Sequence, residues 1–376
     1  MRELCSGLSR AGVATAVATT LRGHNPSVDA KADSILENAG VKISYFPTVA
    51  SKWLGERYAF SPVLGRFLNE TVDRYDLVHI HALWQYPTFV ASRACQRLKI
   101  PYLISPCGLL DEYSLRRSAV FKKIYGVLVE RSALAKASCI HFTSDMEKQQ
   151  AFLFWTNPPT AVIPRSIRLE DISGTSKGQF RASFPETGNR SILLFLGRLH
   201  PKKRLDIVVD AFTFLASRMD NIHLVIAGPD DGTAEEARHS LQKSGLLEKA
   251  TFTGSLSGTA KWSAFQDADL FLLPSEDENF GMAALEAMAV GVPVLVSDKV
   301  GLASVVSERE SGLVLQKDWR LWSNALEQLL GNTALRQKMG ERGRRLVSDQ
   351  FTTERVATAM KNLYSQVLTG LLPAGN

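Results

Sequence analysis

The sequence predicts an α/β protein of two doubly wound, Rossmann-like domains facing each other across a cleft. Three observations predict it. Short β-rich runs alternate with amphipathic stretches along the whole chain, the pattern of parallel sheets covered by helices on both faces. At 376 residues and 45% apolar content, there is material for two cores rather than one. Between about residues 165 and 190 the strand signals lapse into Ser, Gly, Thr, Lys and Pro, which reads as an interdomain linker.

In chain order, the first half offers strands at Val13–Thr20, Val41–Pro47, Asp76–Ala82, Pro101–Ser105, Ser138–Thr143 and Ala161–Pro164. The second half repeats the pattern at Ser191–Leu196, His223–Ala227, Ala250–Thr253, Asp269–Leu273, Pro293–Ser297 and Gly312–Leu315. Helical periodicity marks Ala119–Ala135, Leu205–Arg218 and Trp319–Leu330. A last helix starts near Thr353, with Thr352–Thr353 as cap and Glu354 in its first turn. The expected domains are 1–168 and 186–352, with a helix over 353–370 crossing back to the first. The chain opens inside a helix (Arg2 to Arg10), without the strand and glycine turn that usually start such a domain. The N-terminal domain is therefore expected to be incomplete at its start, through a truncated gene model or the loss of its first βα unit. The alternative is a fold that begins with a helix.

Composition narrows the function classes. Forty-four basic against thirty-eight acidic side chains give a net charge of +6, with no basic run dense enough for nucleic acid. Nothing reaches the run of about eighteen apolar residues that a membrane span needs, and no signal peptide is expected. Cys5, Cys95, Cys107 and Cys139 are scattered without CxxC spacing, as reduced thiols in a cytoplasmic protein would be.

Three strand-end loops in the second half carry chemistry. In the first, Arg198 and Lys203 follow Gly197 at the end of Ser191–Leu196; two cations five residues apart can converge on a diphosphate. In the second, Gly228 heads a turn after Ala227. The third runs from Pro274 to Gly281, where a run of helix formers begins; free amides at a helix start suit phosphate. That loop is acidic, and carboxylates beside a phosphate are favourable only if they face hydroxyls or a developing cation. Glu278 and Glu286, eight residues apart, fit a nucleotide-sugar, with phosphates in the middle and a sugar at each end.

Gly197-Arg198-Leu199 with its following Lys, and the two glutamates around Phe280-Gly281, resemble glycosyltransferase family 4 over essentially the whole chain. The resemblance implies the GT-B fold and retention of the donor sugar's anomeric configuration. It implies that Arg198 and Lys203 bind the donor diphosphate, Glu278 the hexose and Glu286 the ribose hydroxyls. Amides of Phe280, Gly281 and Met282 would hold phosphate or sugar oxygens, and the turn at Thr253–Gly254 would lie beside the base. No metal and no cofactor are implied, so the Asp267-Ala268-Asp269 triplet reads as a coincidental DxD motif.

The N-terminal half would then supply the acceptor pocket. His79 and His81 share one face of a strand end, and structural and catalytic roles are equally open to them. Cys107-Gly108 stands where relatives carry His or Arg before the Gly, and a thiol replaces neither. Val162-Ile163-Pro164-Arg165-Ser166 also departs from the family's Pro-Asn-Gly. Leu115 to Tyr125 alternates cations with apolar residues, as either a core-facing helix or one resting on the inner face of a membrane.

The expected activity is transfer of a hexose from a nucleotide diphosphate sugar to a glycan or lipid-linked acceptor hydroxyl, in polysaccharide or glycoconjugate synthesis. The alternatives are an inactive nucleotide-sugar-binding protein and a nucleotide-sugar 2-epimerase of the same fold.

Overall fold

The computed structural model describes residues 1–22, 33–49, 58–116 and 119–372. The chain divides into two compact units: Met1–Ser166 together with the segment from Thr353 onward, and Ile167–Thr352.

In the first unit, β1 (Ala16–Thr20) pairs in parallel with β2 (Lys42–Phe46). A second parallel sheet has the order β3 (Val78–His81), β4 (Tyr102–Ser105), β5 (Cys139–Phe142) and β6 (Thr160–Val162). The opening helix Arg2–Arg10 packs on the C-terminal helix Thr353–Thr369, and Gly7 is what allows the approach. A Cβ there would fall 2.8 Å from Thr353 Cγ2 and 2.9 Å from Ala357 Cβ. Leu8, Val356, Met360 and Leu363 bury themselves in one cluster with Leu103, Cys139 and Ile163, which fastens both helices to the four-stranded sheet.

The second unit holds one six-stranded parallel sheet, ordered β12-β11-β10-β7-β8-β9. Its strands are β7 (Ser191–Leu196), β8 (Ile222–Ala227), β9 (Ala250–Gly254), β10 (Leu270–Leu273), β11 (Val294–Ser297) and β12 (Gly312–Leu315). Both faces are covered, so the strands are near-continuous apolar runs. Alternate residues of β7 feed opposite layers: Ile192 and Leu194 one core, Leu193 and Phe195 the other. The order grows outward from β7 in both directions, which puts the topological switch point between β7 and β10, the place where open α/β sheets bind ligands.

Two expectations need correction. Residues read as a linker belong to the second unit from Ile167 onward. Phe180, on the short helix Gln179–Ser183, is 1% exposed, in one cluster with Trp262 and Phe265. The helix expected over Ala119–Ala135 is broken by a π-turn at Gly126–Glu130. The phenyl ring of Phe154 lies where a Cβ on Gly126 would be, within 2.3 Å.

Candidate functional site

The loops after β7 and β10 leave neighbouring parallel strands, so both open at the same edge of the sheet. The first carries Lys202-Lys203-Arg204 and the second Glu276-Asp277-Glu278. The Glu276 amide donates to the Lys202 carbonyl at 2.8 Å and ties the loops together. Side chains then pair across the loops: Lys202 with Asp277, Lys203 with Glu278, and Arg204, which also binds Asp206 at 2.7 Å, with Glu276 at 3.3 Å. Lys203 and Glu278 retain only 17% and 21% of their side-chain exposure, so their attraction acts in a partly water-free setting. The Lys317 ammonium, 2.5 Å from Glu276, holds that carboxyl below its ordinary range, with Arg204 helping.

The three predicted glycines lie side by side at the strand ends. Gly197 N–H donates to Ala227 O at 2.9 Å, and Gly228 N–H to Gly254 O at 2.8 Å. Gly228 has φ +144°, and a Cβ would sit 1.8 Å from the Gly197 carbonyl oxygen; only glycine fits there. The Lys203 stem folds back toward Gly197, its Cε 4.0 Å from where a Cβ would be.

Beyond Glu278 the loop is clamped at both sides: its amide donates to Lys299 O at 2.9 Å and its carbonyl accepts from Gly301 N–H at 2.8 Å. Phe280, 3% exposed, packs its ring against Phe351. Gly281, at φ +97° with a Cβ position 2.7 Å from Val300 Cγ1, opens helix Met282–Ala289 without a side-chain cap. Among the described residues no acceptor pairs with the amides of Gly281 and Met282, as expected of an uncapped helix start. Glu286 on this helix accepts from Lys261 Nζ at 2.7 Å.

The structure therefore brings Lys203, Glu278 and the Gly281 helix start together, with the glycine edge alongside. It does not give Arg198 and Lys203 a shared partner. Arg198, 66% exposed, pairs with Asp231 at 2.9 Å. Sequence reasoning missed Lys261, Asp231 and the Lys202–Asp277 pair. A signal was available: three consecutive cations and three consecutive anions at the ends of two predicted strands. The Asp267-Ala268-Asp269 carboxylates are engaged in holding the chain. Asp267 accepts from the amides of Gly178 at 2.5 Å and Arg181 at 3.1 Å. Asp269 accepts from the Ile192 amide at 2.9 Å.

In the first unit, His79 and His81 lie on one face of β3, ring centroids 4.2 Å apart. His79 is locked into a relay. His141 Nε2–H donates to Ile163 O at 2.8 Å, so His141 Nδ1 accepts from His79 Nε2–H at 3.3 Å, and His79 Nδ1 accepts from Tyr364 O–H at 2.8 Å. Burial drives the imidazoles toward neutrality: His141 to about 4, His81 to about 3, and His79 well below its ordinary range. Thus both ring nitrogens of His79 are hydrogen-bonded, and His81 is the one of the three without a ring hydrogen bond among the described residues. Cys107 (φ +56°) and Gly108 (φ +76°) form the loop after β4. Glu147, also missed, holds that loop. Its carboxylate accepts from the Gly108 amide at 2.6 Å and the Thr143 amide at 2.7 Å. Ser144-x-x-Glu147 is a capping-box spacing, with Ser144 Oγ accepting from the Glu147 amide, but the glutamate reaches across to another loop.

The family model described as glycosyl transferases group 1 matches residues 176–346, and the one described as glycosyl transferase 4-like domain matches residues 1–165. A D-inositol 3-phosphate glycosyltransferase from Paenarthrobacter aurescens is 30% identical over 324 residues, covering 81% of this chain and 76% of that protein. A phosphatidyl-myo-inositol mannosyltransferase from Mycobacterium leprae is 31% identical over 210 residues, 55% of this chain and 54% of its own. Coverage of curated relatives falls as low as 43% of their length. The crystal structure of Anabaena HepE in complex with UDP-glucose superposes with a TM-score of 0.73 at 18% identity, over 97% of this chain and 96% of that one, a likeness of fold. The chain belongs to the family 4 glycosyltransferases of GT-B fold.

Proposed function

We propose that the chain is a retaining hexosyltransferase that draws its sugar from a nucleotide diphosphate donor seated on the second unit. The observation that carries this reading is the Lys203–Glu278 pair beside the uncapped helix start at Gly281. Donor binding lets Lys203 turn from Glu278 to the diphosphate, with the Gly281 and Met282 amides adding neutral donors to the same anion. Glu278, released from its ammonium, accepts hydroxyls of the hexose, and Glu286 does the same for the ribose in exchange for Lys261. Arg198 swings from exposed Asp231 to the phosphate edge. As the glycosidic bond breaks, negative charge grows on the leaving diphosphate, and these cations stabilise it there more than in the ground state.

On the retaining course the acceptor hydroxyl attacks from the leaving-group face and gives its proton to a donor phosphate oxygen. The named ligand of HepE, UDP-glucose, supports a nucleotide-sugar. The mannosyltransferase relative, named for a phosphatidyl-myo-inositol, supports a lipid-linked acceptor. The reading requires no metal.

A second reading, donor binding without transfer, draws on Cys107, whose thiol lies 3.6 Å from Ser105 Oγ in a loop where relatives often carry His or Arg. A product assay with UDP-, GDP- and ADP-hexoses and lipid or glycan acceptors separates the two. The first reading requires product from the wild type and none from Glu278→Ala, at unchanged circular dichroism. Product from both proteins at equal rates defeats it.

A further inference from the structure

We propose that Glu276 is a positioning residue for the donor diphosphate, one that grips the chain on both sides of Lys203 and so fixes where that ammonium stands. The inference rests on the donor reading above, and Glu276 acts on the ligand only through Lys203. On one side of Lys203, the Glu276 amide donates to the Lys202 carbonyl at 2.8 Å. On the other, Arg204 Nη1 donates to Glu276 Oε2 at 3.3 Å. A third tie comes from the loop after β12, where Lys317 Nζ donates to Glu276 Oε1 at 2.5 Å. One residue therefore joins the loops that leave β7, β10 and β12, and Glu278 follows two positions later in the same segment.

The grip answers a local difficulty. Lys202, Lys203 and Arg204 are consecutive cations at the N-terminal end of helix Leu205–Ala216, where the helix dipole repels positive charge. Arg204 takes φ +52°, a conformation unfavourable for any residue with a Cβ, and no side chain caps the helix there. Its guanidinium is shared between Asp206 at 2.7 Å and Glu276. Remove the Glu276 carboxylate and the turn bearing Lys203 keeps its backbone tie to the loop after β10 but loses the side-chain one. Arg204 and Lys317 would also lose a carboxylate, and those remaining in that loop are Asp277 and Glu278. With Glu276 in place, Glu278 is reserved for Lys203, and a single ammonium exchanges its carboxylate for phosphate when donor binds. Glu276 keeps 42% of its side-chain exposure, and exposed ion pairs add little to folding, so its effect falls on placement.

The test is calorimetric titration of UDP, GDP and ADP, and of the corresponding nucleotide-hexoses, into wild type, Glu276→Ala, Lys203→Ala and the double variant. On the wild-type background Glu276→Ala should weaken binding about three- to tenfold, with and without the hexose, because the contact disturbed is the one to phosphate. On the Lys203→Ala background the same change should cost less than about twofold, since no ammonium is left to place. A wild type that binds none of these ligands removes the donor reading and this inference together. Three results overturn this inference and leave the donor reading standing: binding that Glu276→Ala leaves unchanged, an equal loss beside Lys203→Ala, and a loss confined to the sugar-bearing ligands.

Discussion

Glu130 offers a sharp test of the burial argument in the first unit. Its side chain is 1% exposed; Oε1 accepts from the Trp84 amide at 2.7 Å and Oε2 has no hydrogen-bond partner among the described residues. Burial pushes the carboxyl up from an ordinary 4.5 to about 7, against the lowering effect of the Trp84 hydrogen bond. Between pH 4.5 and 7 the folded state holds a proton that the unfolded state has released, so stability falls as pH rises through that window and is flat above it. The distance from 4.5 to about 7, at 1.36 kcal/mol per factor of ten in proton affinity, amounts to about 3 kcal/mol. Glu130→Gln keeps an oxygen for Trp84 and removes the titration. Histidine contributions are common to both proteins and drop out of the difference. The gap between variant and wild type should therefore widen by about 3 kcal/mol from pH 4.5 to pH 8, in the variant's favour. For a unit of this size that is a relative rise in Tm of roughly 6–12 °C. Thermal scans at matched buffers give the readout, and parallel pH profiles for the two proteins would refute the reasoning.

Gly228→Ala places a Cβ 1.8 Å from a backbone oxygen and should cost about 3 kcal/mol or more in urea unfolding, together with donor binding. Gly254→Ala, at φ +69° in open space, should cost only about 1–2 kcal/mol, and equal losses would contradict the close-approach account. His141, lowered by burial from 6.5 to about 4, contributes stability that is full above pH 6.5 and is lost as pH falls toward 4. His141→Gln should make that acid limb shallower while His79 and His81 still titrate, and an unchanged limb would contradict the assignment to His141.

The strands were legible because buried parallel strands read as plain apolar runs. β7 and β12 were read to the residue, and the others to within a few. The polar segment after Ile167 misled because single residues, Ile167 and Phe180, do its burying, and composition averages them away. The π-turn at Gly126–Glu130 was hidden for a different reason: the ring that packs against Gly126, Phe154, arrives from beyond the helix. In the site, residue types and loops were readable, whereas pairings were not. Lys203 meets Glu278 across 75 residues and Arg198 meets Asp231 across 33, so the partners follow from strand order. Strand order itself was not predicted from the pattern, so neither pairing was. Glu147 announced a helix start and concealed its grip on Gly108.

Calorimetric titration of the wild type and of Lys203→Ala with UDP-, GDP- and ADP-hexoses addresses the cradle at the switch point most directly. The account predicts saturable heat with at least one donor, and an affinity about tenfold or more lower once the ammonium is gone. Flat titrations with every nucleotide-sugar, or identical affinities in the two proteins, would contradict it.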